Sequence, residues 1–230
     1  MIDWPKAPYF QQLPDNTTIW HYMSIPKYLS LIANQELYLT RVDQLDDKAE
    51  ILVTRKEIEY WTTLFNADIQ KWANKQRKKV YVNCWTVSDY ESSTMWGAFA
   101  DNSTGIAIKT SISRLQSCYL GKKEIDLAIV NYINYETETV QPEGEPINTI
   151  RFFSTKRSFY SNEHEIRLIY ESHGGKAKTG IAIPVNLDVL IDEIHVAPNA
   201  QSWFVQTIER ITNSAGYVFP ILLSDLIYNR

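Results

Sequence analysis

The chain has 230 residues, of which 44% are apolar and 13% aromatic. So much apolar and aromatic side chain excludes a disordered polymer, and a chain of this length needs no disulfide staples. Lys and Arg number 23 against 27 Asp and Glu, a net charge of −4. That excludes the overall positive field of a generic nucleic-acid binder and leaves room only for a local basic patch.

Cys84 and Cys118 form no C-x-x-C pair, which argues against a zinc module and fits a reducing compartment. Residues 1–5 show no basic region ahead of an apolar stretch, and no apolar run approaches the ~18–20 residues that span a bilayer. A cytoplasmic protein is expected. There is no internal repeat, and the Pro- and Gly-containing loop at 141–146 is too short to mark a boundary, so one domain over 1–230 is expected.

Residues 17–22 read as a strand. Ser24 is placed to cap a helix, with Pro26 in its first turn and Leu29 and Ile32 on one face. Residues 37–40 read as a second strand. From about 48 to 74 the spacing predicts one long helix. Ile51, Ile58, Phe65 and Trp72 recur at heptad intervals, Trp61 and Ile69 fill the same face, and the stripe is read as core. The basic run 75–79 closes that helix at its carbonyl end. Strands are predicted at 80–86 and 105–109, with a short helix at 92–100 between them. A longer strand follows at 125–135, and 147–157 reads as helical. A strand at 165–170, a turn at 173–176 and a return strand at 180–185 read as a hairpin. A strand at 194–197, a helix at 200–214 stopped by Gly216 and a strand at 217–222 complete the chain. The pattern is α+β: mixed and antiparallel sheets with flanking helices.

Phosphate-loop, dinucleotide-fingerprint, zincin and nucleophile-elbow motifs are absent, and His21, His164, His173 and His195 lack metal-ligand spacing. Three segments carry chemistry-capable residues. Trp20-His21-Tyr22-Met23-Ser24 sets an imidazole among apolar neighbours before a helix; its bland alternative is a buried histidine bonded to backbone. Cys84-Trp85-Thr86 and 95–100, with Trp96 and Phe99, offer an aromatic wall for a flat ring, or simply core. In 162–170 the alternation of Glu163, Glu165 and Arg167 places two carboxylates and a guanidinium on one strand face, a site or a solvated ion pair.

In their order and spacing these segments resemble a bacterial family known as domain of unknown function 2971. The matching stretches are His21-Tyr22-Met23-Ser24, Asp46-Asp47-Lys48-Ala49-Glu50, Cys84-Trp85-Thr86, 95–100 with Gly105, and Lys156, Phe159, Glu163, Glu165 and Arg167. Lys48, Thr86, Phe99 and Phe159 depart from that family's Pro, Ser, Tyr and Trp. The same order is more distantly similar to the ADP-ribosyltransferase superfamily. That resemblance implies NAD as substrate, held by His21, Tyr22 and Ser24. Trp85 or Phe99 would flank the nicotinamide. Glu165 would be catalytic and Glu163 would face the acceptor, a protein or a nucleic acid. Arg41 and Arg151 are the basic candidates for the pyrophosphate.

Two other classes fit the same residues. A metal-dependent nuclease would use Glu165-Ile166-Arg167 as a degenerate E-x-K strand with Asp126 or Glu124. A non-catalytic interaction module would use the carboxylates to bind a basic partner, such as one encoded by a neighbouring gene.

Overall fold

A computed structural model describes residues 1–7, 10–45, 53–142, 144–174 and 178–226. The segment 46–50, residue 51 and the second half of the predicted turn at 173–176 lie outside the described residues, as does the start of the predicted long helix.

The strands are β1 (Ile2–Asp3), β2 (Thr18–Met23), β3 (Glu36–Arg41), β4 (Val80–Val87), β5 (Ile106–Ser111), β6 (Ile125–Ile129), β7 (Asn131–Ile133), β8 (Thr155–Arg157), β9 (Glu165–Glu171), β10 (Gly180–Pro184), β11 (Glu193–Val196) and β12 (Ile221–Leu223). The helices are α1 (Ile25–Asn34), α2 (Arg55–Phe65), α3 (Ile69–Gln76), α4 (Ser93–Phe99), α5 (Ile112–Ser117), α6 (Thr149–Phe153), α7 (Leu187–Leu190) and α8 (Ser202–Ser214). The α+β expectation holds. Among the described residues, ten strands form one mixed sheet with the main order β1-β6-β9-β4-β2-β5-β11-β12. β3 also pairs with β4 and carries β10 on its other edge, and β7 and β8 form a separate parallel pair. No helix among these residues is long and apolar enough to cross a membrane.

One strand organises the rest. β4 pairs along its length with β9 on one edge, from Val80↔Glu171 to Thr86↔Glu165. Its other edge is divided. Thr40 and Arg41 of β3 take Val82 and Tyr81, while Ile19 and Trp20 of β2 take Val87 and Thr86. Asn83, Cys84 and Trp85 therefore have no ladder partner on that edge, and the sheet forks around them. Buried polar groups must still be paired. The Cys84 carbonyl accepts from the His21 ring at 2.8 Å, and Asn83 Nδ2 donates to the Tyr38 carbonyl at 3.2 Å. Asn83 Oδ1 in turn accepts from Trp85 Nε1 at 2.6 Å.

Alternation fills both faces. Ile166 and Leu168 of β9 join Trp85, Ile19 and the inner side of α1, while Ile169 joins Val80, Val82, Phe152 and Phe153.

Several sequence expectations are corrected. The long helix is two, because Asn66 turns left-handed (φ 49°) and Asp68 caps α3 by accepting from the Lys71 N–H. Its stripe is mostly not core: Ile69 is buried, but Phe65 is 56% exposed. α2 instead begins in a capping box, in which Thr54 and Glu57 satisfy each other's N–H groups. The 125–135 strand breaks after Ile129, and its second half pairs with β8. The 147–157 helix is only Thr149–Phe153, and Thr155–Arg157 is a strand. β9 and β10 are not a hairpin. Both edges of β9 are occupied, by β4 and β6, so β10 continues to the free edge of β3. The last strand starts at Ile221 rather than 217. Gly216 does end α8, at φ 92°.

Replacing Asn83 by Ala leaves a buried indole N–H unpaired and cuts the tie to β3. The expected cost is about 1–3 kcal/mol, read as a lower urea midpoint at unchanged slope.

Candidate functional site

The fork opens a cavity of ≈ 810 Å³ lined by His21, Trp85, Phe99, Lys156, Glu163 and Glu165 among others. That is the size of a ligand cleft. The register explains how it gathers them. His21 shares the Trp85 face of the sheet, whereas Glu165 stands opposite Thr86 and shares the other face. Residues of both sides line the cavity beside the edge of β4 that β2 and β3 leave open. The early imidazole and the late carboxylate thus line one cavity from opposite faces of the sheet.

His21 is half-buried, and its ring lies against Trp85 with centroids 4.8 Å apart. Burial pushes its pKa down to about 4, against the pull of the Cys84 carbonyl, and the charge of Lys27 adds to the fall. The ring is therefore neutral near pH 7. Because its Nδ1 faces a carbonyl, Nδ1 must carry the proton, and Nε2 keeps a lone pair. A neutral histidine so fixed accepts a hydroxyl proton from a ligand rather than pairing with an anion.

The opposite wall is charged. Glu165 and Arg167 are 3% and 0% exposed, so the reading of a solvated strand face is overturned. Glu165 Oε1 accepts from Arg167 Nε at 2.5 Å, and Oε2 accepts from Arg167 Nη2 at 3.2 Å. Lys156 Nζ, arriving from β8, lies 2.7 Å from Glu165 Oε2 and 2.6 Å from Glu163 Oε2. Arg167 Nη1 is spent on the Phe153 carbonyl, which fixes the guanidinium. Burial raises the Glu165 pKa, but the Arg167 and Lys156 charges and hydrogen bonds from Arg167 and the Cys84 thiol reverse this, to about 2. For Glu163 the balance goes the other way. Burial raises its pKa, Lys156 only partly offsets that, and Glu165 adds to the rise. One carboxyl is held ionised and its neighbour is made more basic.

Glu163 reaches this place by a different route from the one its spacing implies. It ends a 3₁₀ turn, Ser158–Glu163, and His164 is left-handed (φ 44°), so β9 begins only at Glu165. Alternation along a strand does not relate the two glutamates.

Of the other candidates, Tyr22 lines the cavity and its hydroxyl accepts the Ser92 N–H at 2.8 Å. Phe99 stands at the rim, 49% exposed. Ser24 is half-buried, makes no side-chain cap bond and is not among the lining residues. Arg41 is occupied by Asp43 and the Lys178 carbonyl, and Arg151 by Glu145; neither lines the cavity. Asp126 stands opposite Ile169, at the far end of β9 from Glu165. Its pKa is raised to about 6 by burial and by Glu124, Asp3 and Glu171. Among the described residues no group of three or more His, Cys, Asp or Glu is arranged to hold a metal ion. The nuclease reading is thus left without its second ligand beside Glu165. Sequence reasoning noted Lys156 and Cys84 only as parts of a pattern and missed Tyr132, whose hydroxyl accepts the Glu165 N–H at 2.9 Å. All three come from other strands, so no local spacing signals them.

No family model matches the chain, family 2971 included, and no curated protein matches it. Among solved structures it is similar to DarT of Thermus sp. 2.9 in complex with NAD+, at 12% identity and TM-score 0.45, over 94% of this chain and 100% of that one. It is also similar to the same protein in complex with ADP-ribosylated ssDNA, at 10% identity and TM-score 0.44, over 95% and 100%.

Two outcomes follow from the charged wall. Lys156→Met leaves buried Glu165 and half-buried Glu163 without their shared cation and is expected to lower stability by about 3–5 kcal/mol in urea unfolding. The Glu165 contribution is present above the unfolded-chain glutamate pKa of about 4.3 and is lost as pH falls toward 2. Glu165→Gln should remove that part of the acid slope in a plot of unfolding free energy against pH.

Proposed function

We propose that the chain is an NAD-dependent ADP-ribosyltransferase or NAD glycohydrolase. The observation that carries this reading is the pairing, in one ≈ 810 Å³ cavity, of a neutral imidazole stacked on an indole with a buried, ionised carboxylate.

The chemistry needs these parts. Breaking the bond between the ribose and the nicotinamide nitrogen builds positive charge on the ribose, and a fixed anion stabilises that charge as it forms. Glu165 is the fixed anion. Its acceptor positions are filled by Arg167, Lys156 and the Cys84 thiol. A thiol is the weakest of those donors, and Cys84 lines the cavity, so a ribose hydroxyl displaces the thiol first. His21 Nε2 accepts a second hydroxyl, and Trp85, Tyr22 and Phe99 provide apolar surface for the flat nicotinamide. Glu163, the more basic and more exposed carboxyl, takes the proton of the incoming nucleophile: water in hydrolysis, or a group of a protein or nucleic-acid acceptor in transfer. A toxin or phage-defence role accords with such an activity.

The test is nicotinamide release from labelled NAD, with and without cell lysate. Glu165→Gln is expected to lower turnover by about 10²–10³-fold. His21→Ala should raise KM more than it lowers kcat. Turnover should fall as pH drops through the raised Glu163 pKa, because the basic form is required. Nicotinamide release undiminished in Glu165→Gln would refute the assignment of that residue.

A further inference from the structure

A second, partly buried ionic cluster stands behind the aromatic wall. Glu91 lies in the connection between β4 and α4. Its Oε1 is 2.8 Å from His195 Nδ1 of β11 and accepts the Asp225 N–H at 3.1 Å. Its Oε2 accepts from the Trp96 indole of α4 at 2.9 Å and from the Ser224 hydroxyl just after β12. One carboxylate therefore ties together three segments distant in sequence. On the other side of the ring, His195 Nε2 lies 3.0 Å from Glu193 Oε2, which Lys109 of β5 also holds at 3.0 Å.

Geometry dictates the charge on His195. Both ring nitrogens face carboxylate oxygens, which only accept, so each nitrogen must bring a proton. The neutral ring has one N–H and would turn a lone pair toward one of the two carboxylates.

The cluster bears directly on the cleft. The Trp20 ring meets His195 edge-on at 4.9 Å, and Trp96 meets Tyr22 edge-on at 5.2 Å. Trp20 and Tyr22, with Met95, Ala98 and Phe99 of α4, line the cavity. We propose that Glu91 and His195 are positioning residues for this wall, holding α4 and the two rings where the flat part of a ligand is received. The inference rests on the NAD reading for the identity of that ligand.

The groups that face the imidazole are Glu91 from the β4–α4 connection, Glu193 on its own strand, the Trp20 ring from β2, and Lys109 behind Glu193 and over the Trp20 ring at 5.9 Å. Burial lowers the His195 pKa, and its bonds and charge pairing with Glu91 and Glu193 more than reverse this, leaving it raised. The sign follows: the brace is complete below the unfolded-chain histidine pKa of about 6.5 and is lost as pH rises through the raised value.

The experiment combines NAD kinetics between about pH 6 and 9 with NMR of the imidazole C–H and indole N–H resonances, for wild type, Glu91→Gln and His195→Gln. His195 is expected to titrate above about 6.5, the Trp96 indole N–H to move with the same midpoint, and KM for NAD to rise about five-fold across it at nearly constant kcat. Both variants should show the high KM at every pH. A Trp96 resonance that ignores His195, or a KM that stays flat in an active wild type, overturns the proposal. If the variants fail to fold, the wild-type titration and its KM profile decide alone. A wild type that releases no nicotinamide at any pH counts against the NAD reading, whereas the joint titration of His195 and Trp96 tests the brace independently.

Discussion

The fold turns on an incomplete strand edge. β4 is fully paired by β9 but shared on its other side between β2 and β3, and three of its residues, Asn83 to Trp85, are left over. An unpaired stretch in the middle of a sheet is costly unless side chains complete it. Here the His21 imidazole pairs the Cys84 carbonyl and the Asn83 carboxamide bridges to the Tyr38 carbonyl of β3, and the same two side chains line the cavity. The bond that satisfies Cys84 also fixes the tautomer of His21. Structural necessity and chemical readiness are met by one interaction.

Two ionic clusters flank that gap, and neither resembles a surface salt bridge. Glu165 with Arg167 and Lys156 forms one wall, and Glu91 with His195 and Glu193 stands behind the other. Burying charge without full pairing would be strongly unfavourable, and such clusters seldom add net stability even when paired. Their value lies in direction. Each is drawn from several strands, so each fixes the relative placement of segments that apolar packing alone would leave adjustable. Arg167 illustrates the point: its third contact, the Phe153 carbonyl, aims the guanidinium and through it Glu165.

How much of this was legible in the chain depended on whether the cause was local. The strands holding His21, Trp85 and Glu165 could be read, because apolar alternation is a local signal. α4 could be read too, because Ser92 precedes it and accepts from the Met95 N–H. The break at Asn66 was hidden by a heptad stripe that continues across it, although Thr54 with Glu57 and Asp68 are helix-start signals on either side. Strand pairing was not legible: the Gly-containing segment before β10 suggested a hairpin, but the edges of β9 were already taken. At the site, residue type singled out His21 and Glu165. Arg167, the chief partner of Glu165, was legible too from its two-residue spacing, whereas Lys156 and the Cys84 thiol reach Glu165 from other strands and left no spacing to find.

The route taken by β10 has its own effect on the cleft. Gly180 sits beneath the ring of Tyr38, so close that a β-carbon there would fall 2.1 Å from the ring's outer atoms. Tyr38 belongs to β3, is half in solvent and forms part of the rim. The bare backbone at 180 is what leaves room for that ring beside the neighbouring strand. Any side chain added there would lift it like a hinged shutter, so the aperture's width is governed from a strand that supplies no lining residue of its own.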